Sequence, residues 1–333
     1  MNQASKDKTT VLISSAGRRV EFINCFFESA QDLGCDLKVV ATDAAPAWSS
    51  ACQRADQSYT VPRCDNAGFI PAMLEICERE GVALLVPTID HELALYAEAR
   101  PAFEKIGTTI SVSDPATIAL ARNKLESNRF FRDIGLQKPR CALLRDVLAE
   151  PAAWKFPLIA KPIDGSSSIG LRLVPSLEAL RALAVDPTRY VVQDHLRGLE
   201  YTVNMFFDPH GLRSAVQHQR VEMRAGEVSK GITTRLPALT TAAEKLGQAL
   251  AGKAFGALNF QAIVTEDRTP HLLEMNARFS GGYPLAHRAG APFTRWLLES
   301  AVGREISAHN DWQTGITMLR YDAAIFLSTP NQG

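Results

Sequence analysis

The 333-residue sequence has no excess of charge of either sign: 36 Lys plus Arg stand against 36 Asp plus Glu. A nucleic-acid or polyanion binder carries a basic surplus, so this balance gives that class no support. No apolar run approaches the roughly 20 residues needed to cross a bilayer, which argues against a membrane role. The opening MNQASKDKTT is polar and lacks the apolar stretch of a secretory signal, so the expected location is the cytoplasm. The six cysteines (Cys25, Cys35, Cys52, Cys64, Cys77 and Cys141) include no C-x-x-C pair, and none lies beside a metal-spaced histidine. Scattered thiols of this kind read as small core residues in a reducing compartment. A dinucleotide fingerprint is also missing. SSAGRR sets Arg18 and Arg19 where G-x-G-x-x-G needs a close-packed glycine turn. Gly165 and Gly170 keep the glycine spacing of a Walker P-loop, but Leu171 and Arg172 follow instead of Lys and Ser/Thr.

What is present is a chain long enough for two or three units, with the 46% apolar and 22% charged residues of a globular protein. From 11 to about 113, short apolar runs (VLISS, LKVVATD, SYTVP, VALLVPT, TTISVS) alternate with amphipathic helical segments near 18–33, 66–80 and 90–104. Such alternation predicts a doubly wound parallel sheet, whose ligands bind at the carboxyl ends of the strands. Gly17, Arg18, Arg19, Asp43, Asp90 and Glu92 fall there, although Asp43 and Asp90 read equally as turn or cap residues. An Asp-Pro start at 114–115 predicts one helix running to Gly135. A mixed segment, long antiparallel-looking strands (199–208 and 212–224), a hairpin, a helix near 284–302 and a strand near 315–326 follow. The expected division is a flexible tail 1–10, an α/β domain 11–120, a small α+β lobe 121–192 and a large α+β lobe 193–330.

The most informative stretch is HLLEMNARFSGG, residues 271–282. In a strand, Glu274, Asn276 and Arg278 share one face, and Leu273, Met275, Ala277 and Phe279 the other. A turn centred between Asp267 and Arg268 sets Gln261 opposite Glu274, unless a one-residue bulge shifts the register. Three oxygen donors beside an arginine suit a hard divalent cation and a phosphoryl group, whereas a lone strand of this pattern reads equally as a solvated face. Upstream, LIAKPIDGSSSIG ends an apolar strand in Lys161 and continues into a Gly/Ser loop able to surround phosphates. VVQDHLRGLEYTV then offers a linker and the acid Glu200, a pattern suited to an adenine edge and ribose hydroxyls but weak alone.

The order of these parts resembles the ATP-grasp superfamily. It runs from Lys124 opening a helix, through Lys161 with its loop and the G-x-E linker, to Gln261 and E-x-N-x-R. With the preceding α/β unit it is similar to carbamoyl-phosphate-synthase-large-subunit-like carboxylate–amine ligases. The resemblance covers about 11–326 and implies a pre-ATP-grasp domain followed by an ATP-grasp domain. It also implies that Lys124, Lys161 and the loop with Ser166, Ser167 and Ser168 bind ATP phosphates. Asp194 and the Leu196 backbone would meet adenine, and Glu200 the ribose. Gln261, Glu274 and Asn276 would hold Mg²⁺ or Mn²⁺, two ions being expected, and Arg278 would steady the phosphoryl group. Two departures stand out: Asn123 precedes Lys124 where aspartate is common, and Gln193-Asp194 replaces a pair of acids. The implied reaction joins a carboxylate to an amine through an acyl-phosphate. Its alternative is activation of a small carboxylate or bicarbonate for a partner protein. No glutaminase-like segment accompanies it.

The substrates are expected to be small and amino-acid-like. Arg220 and Lys230, in the charge run QHQRVEMRAGEVSKGITTR, would face them, and Arg18, Arg19, Asp90 and His287 would do so from the other side. The same run reads equally as a solvated hairpin. Ligases of this type are often homodimers, and Trp296, Leu297 and Leu298 read equally as core or interface.

Overall fold

The structure, a computed structural model, describes residues 8–165 and 169–327. Strands β1 (Lys8–Ser14), β2 (Asp36–Asp43), β3 (Gln57–Thr60), β4 (Val82–Pro87) and β5 (Thr109–Ile110) form a parallel sheet in the order β3-β2-β1-β4-β5. Helices α1 (Val20–Leu33), α2 (Ser50–Arg54), α3 (Phe69–Glu80) and α4 (Leu93–Lys105) connect them. Val11, Ile13, Val39 and Ala41 face a core shared with Phe22 and Phe26 of α1, while Leu12, Val40 and Leu85 face Phe69, Met73, Tyr96 and Phe103. Burial on both faces is why these strands read as unbroken apolar runs. The expected tail is shorter than ten residues, because Thr9 and Thr10 are buried in β1, paired with Leu37 and Lys38. Strand order reverses at β1, opening a crevice beyond the ends of β1 and β4, where Gly17–Arg19 and Thr88–Asp90 emerge.

The single helix expected from 115 to 135 is two, α5 (Pro115–Arg122) and α6 (Lys124–Asp133). Asn123 breaks it: its backbone is extended (φ −101°, ψ 105°), and its Oδ1 accepts from the N–H groups of Leu125 and Glu126 at 3.0 and 3.1 Å. An asparagine cap does what the more common aspartate does there, so this departure keeps the local geometry that places Lys124. Replacing Asn123 with Ala is expected to cost about 1 kcal/mol in urea unfolding; a change within a few tenths would show that the cap is not what starts α6.

A second sheet, in the order β6-β9-β7-β8, comprises β6 (Cys141–Leu143), β7 (Leu158–Pro162), β8 (Arg172–Val174) and β9 (Tyr190–Asp194). It packs on α7 (Leu144–Ala149) and α8 (Leu177–Arg181) around Leu144, Trp154 and Leu180. The third sheet contains β10 (Leu199–Asp208), β11 (Gly211–Arg224), β12 (Glu227–Thr233), β13 (Gly256–Val264), β14 (Pro270–Asn276) and β15 (Thr317–Leu319). Its order is β14-β13-β10-β11-β12-β15. One face, with Val203, Met205, Leu258 and Phe260, packs on α9 (Pro237–Ala249). The residues alternating with these include Glu200, Thr202, Asn259 and Gln261, which line a cleft on the opposite face. The doubly wound domain followed by two α+β lobes is the fold class the sequence predicts.

The helix expected near 284–302 is interrupted at Gly290 and Pro292, giving α10 (Tyr283–Arg288) and α11 (Phe293–Ala301). Trp296, Leu297 and Leu298 are core, packed with Phe206, Phe293 and the first sheet. The last strand is shorter than expected, pairing with β12 only over Thr317–Leu319.

Candidate active site

The hairpin β13–β14 sets Gln261 opposite Glu274 and Asn259 opposite Asn276. It does so through two offsets that cancel on this side. The turn is one residue tighter than a pairing sum of 535 requires: Thr265 N–H bonds the Thr269 carbonyl at 3.1 Å, and Arg268 takes a left-handed φ of 64°. A bulge then shifts the register between Gln261 and Ala262. Leu273 is the extra residue. It lines the cleft beside Glu274, and Leu272 is the side chain buried behind, which corrects the placing of Leu273 on the apolar face. Below the bulge the alternation holds. Met275, Ala277 and Phe279 are buried, and the Phe279 ring packs on Phe22 at 4.7 Å and Tyr283 at 4.6 Å, fixing the backbone that carries Arg278.

Around Glu274, Gln261 and Asn276 the cleft, 340 Å³ in volume, gathers Lys124, Lys161, Arg19, Arg220 and Arg278. Lys161, next to last in β7, is buried, and Lys124 opens α6 and donates to the Gly165 carbonyl. Among the described residues neither lysine forms an ion pair. Burial pulls the Lys124 ammonium below its usual pKa; Glu274 partly opposes this and Lys161 adds to it. Arg278 pairs with Asp90 at 2.7 Å and donates to the Phe279 carbonyl at 3.0 Å. Burial disfavours both charges of that pair, yet their attraction holds the Asp90 carboxyl below, and the Arg278 guanidinium above, their ordinary values. Arg220 is bonded to Glu200 at 2.7 Å, and both line the cleft. Asp194 and Leu196 lie on its rim, the Asp194 carboxylate accepting from the Arg140 N–H at 3.1 Å. Gly198 passes so close to the Val264 carbonyl on β13 that a side chain would collide with it, which explains the glycine of G-x-E.

Other expected residues stand elsewhere. Lys230 is exposed and does not line the cleft; it pairs with Glu222 at 2.7 Å, the residue opposite it where the β11–β12 register is irregular. His287 is buried between helices, 3.3 Å from Glu28 of α1 and 3.3 Å from the Tyr283 hydroxyl, and does not line the cleft. Arg18 is exposed, 3.8 Å from Glu227, and lines a neighbouring cavity. Ser166, Ser167 and Ser168 lie outside the described residues. The sequence reading missed Glu227, Ser280 and Gly281, which line the cleft, and Arg320, which joins Glu227 (2.9 Å) to the Gly281 carbonyl. Glu227 stood in the charge run around Arg220, but nothing in the run says which acid turns inward. A side chain on Gly281 would lie 2.6 Å from the Glu227 carboxyl carbon, so the glycine there permits close packing.

The donor set tests the expected cation. Among the described residues no group of three or more His, Cys, Asp or Glu is placed to hold a metal. The cleft instead offers one carboxylate and two amides. Asn276 Nδ2 donates to Asn259 Oδ1 at 3.4 Å, which leaves the Asn276 amide oxygen for another partner. A hard ion such as Mg²⁺ accepts this set when anionic oxygens from a substrate complete it, so the residues fit.

Comparison with known proteins agrees with the geometry. Residues 11–111 match the family described as PylC-like, N-terminal domain, and residues 186–324 the family described as ATP-grasp in the biosynthetic pathway with Ter operon. D-alanine–D-alanine ligase of Ectopseudomonas mendocina (strain ymp) is 42% identical over 92 residues, 26% of this chain and 29% of that protein. The chain spans about a third of the length of the curated relatives it matches. Among solved structures, the biotin carboxylase domain dimer of Hydrogenobacter thermophilus 2-oxoglutarate carboxylase, in complex with MgADP and bicarbonate, superposes with a TM-score of 0.72. The two share 16% identity over 93% of this chain and 73% of that one. L-amino acid ligase from Bacillus licheniformis gives 0.67 at 16% identity, over 94% and 79%. Likeness at that identity is one of fold. By these matches the chain is similar to the PylC-like N-terminal domain over residues 11–111 and to an ATP-grasp family over residues 186–324.

Proposed function

We propose that the protein is an ATP-dependent ligase that joins a carboxylate to an amine through an acyl-phosphate, releasing ADP and phosphate. The observation that carries this reading is the pair of buried lysines without a carboxylate partner among the described residues, facing Glu274, Gln261 and Asn276 across one cleft. Buried cations left unpaired are costly, and a triphosphate between them supplies the missing charge.

In this reading Lys124 and Lys161 hold the phosphates. The linker at Asp194–Leu196 meets adenine, and Glu200, steadied by Arg220, meets the ribose. Gln261, Glu274 and Asn276 hold Mg²⁺ or Mn²⁺, which when bound screens the phosphate charge and polarises the transferring group. A carboxylate oxygen attacks the γ-phosphorus and the bond to ADP breaks. Arg278, oriented by Asp90, stabilises the charge on the phosphoryl oxygens as it transfers. The amine nitrogen then bonds the acyl carbon, phosphate departs and the nitrogen gives up a proton.

The test is ADP and phosphate release by the full chain with ATP, Mg²⁺ and panels of carboxylates and amines, paired and singly. Release that requires both partners supports a ligase, and release with bicarbonate alone favours activation for a partner protein. ATP binding without turnover under every mixture defeats both. Lys124→Ala and Lys161→Ala are each expected to weaken ATP binding roughly 10- to 100-fold, the worth of one charge-assisted hydrogen bond. Unchanged affinity in isothermal titration would place the triphosphate elsewhere.

A further inference from the structure

Beside the cleft lies a second cavity of 760 Å³, joined to it through Arg19, Glu227, Val228, Ser280 and Gly281. Its floor comes from α1 (Val20, Phe22) and α10 (Leu285), and its outer wall from the C-terminal segment (Met318, Tyr321, Ile325). That segment is tied down by Arg320 to Glu227 and Gly281, and by the Arg224–Asp322 pair. The cavity opens at the crevice where the order of the parallel sheet reverses, the usual ligand position of such sheets.

Arg19 marks the boundary between the two spaces. Its neighbours have counter-charges: Arg278 pairs with Asp90, Arg320 with Glu227, Arg288 with Glu28 and Arg224 with Asp322. Among the described residues Arg19 forms no ion pair, and its guanidinium donates to the Thr88 carbonyl at 3.1 Å. Burial, then Arg278, pull its pKa down to about 10, with Glu227 and Asp90 opposing them from a distance. A half-buried guanidinium with no contacting carboxylate among the described residues is open to an anion from outside.

We infer that this cavity receives the carboxylate substrate, that Arg19 holds its carboxylate at the edge of the ATP cleft, and that the substrate carries a bulky apolar group. The inference rests on the ligase reading and deepens it. Bicarbonate or glycine would leave the apolar walls uncovered, whereas an aromatic amino acid or a dipeptide covers them, and a space of several hundred Å³ suits molecules of that size. With its carboxylate on Arg19, such a molecule places the attacking oxygen beside Arg278 and Glu274, and its body extends along Phe22 and Met318.

Isothermal titration of the full chain with MgADP present, using L- and D-phenylalanine, a phenylalanine-containing dipeptide, glycine and bicarbonate as probes, tests this. The best aromatic probe is expected to bind at least tenfold more tightly than glycine or bicarbonate, and Arg19→Gln to weaken it at least tenfold. Met318→Trp fills the cavity and is expected to do the same with ATP affinity changed less than twofold. Leu319→Glu, at an exposed lining position that folding tolerates, is expected to repeat that result. The inference is overturned if glycine or bicarbonate binds as well as every aromatic probe, if no aromatic probe binds, or if both cavity variants leave aromatic affinity unchanged. These titrations need no turnover. Failure of ATP to bind therefore counts against the ligase reading, and loss of aromatic binding with ATP binding intact counts against this pocket alone.

Discussion

Replacing Glu274 with Gln is expected to lower ATP- and Mg²⁺-dependent phosphate release by about a thousandfold while leaving the protein folded. Glu274 is the one carboxylate in the oxygen set formed with Gln261 and Asn276. Loss of a cation's charged ligand removes several kcal/mol of stabilisation from the transferring phosphoryl group, and each 1.4 kcal/mol is tenfold in rate. The fold has little stake in that charge. Among the described residues Glu274 forms no ion pair of 4.0 Å or less, and its cross-strand partner is a neutral glutamine. Glutamine keeps the shape and the strand register, so unfolding free energy should move by no more than about 0.5 kcal/mol. Thermal unfolding and phosphate release measured on the same preparation check both halves. A variant retaining a tenth of wild-type turnover would remove Glu274 from the cation site, and with it the reading of the hairpin as a metal–phosphate surface.

The hairpin also shows how far the sequence carries the structure. Alternation from Glu274 to Phe279 was legible because both its faces have an unambiguous chemistry, whereas the expected pairing of Gln261 with Glu274 holds only because a tighter turn and a bulge offset each other. The bulge at Leu273 was not legible, since an apolar residue on either side of the strand satisfies the pattern equally. The break at Asn123 was hidden for a similar reason: an asparagine on the polar side of an amphipathic helix looks like any other polar residue until it caps. Charges on β11 and β12 misled most. Arg220 turns to the cleft and Lys230 to solvent, and their sequence neighbourhood does not record the irregular register between the two strands. His287 had a half-buried partner, Glu28, more than 250 residues away. The contact that organises the cleft, Arg278 with Asp90, joins residues 188 apart. It exists because the doubly wound sheet delivers the end of β4 to the end of β14, a property of the assembled domains rather than of any local motif.

That contact leads to the largest expected effect on stability. Arg278 and Asp90 are 2.7 Å apart, with side chains 13% and 8% exposed. Removing one member strands the other charge in a poorly solvated cleft, so Asp90→Ala is expected to cost about 3–5 kcal/mol in urea unfolding. Arg278 has little else to turn to: its Nε is buried without a hydrogen-bond partner, and its remaining bond is to the Phe279 carbonyl. The pH dependence has a definite sign. Arg278 lowers the folded-state pKa of Asp90 despite burial, so the unfolded chain takes up the proton first. The contribution is therefore fully present above the unfolded value of about 3.9 and is lost as pH falls through the lower folded value. The stability gap between wild type and Asp90→Asn should stay level from neutral pH to about pH 5 and narrow below about pH 4. Pairing the change with Arg278→Met separates the charge from the packing. If stranding of the guanidinium is the cause, the double variant recovers part of the stability lost by Asp90→Ala, because the uncompensated charge is gone. If the losses simply add, the pair contributes through packing alone, and Asp90 has no part in orienting Arg278 for phosphoryl transfer.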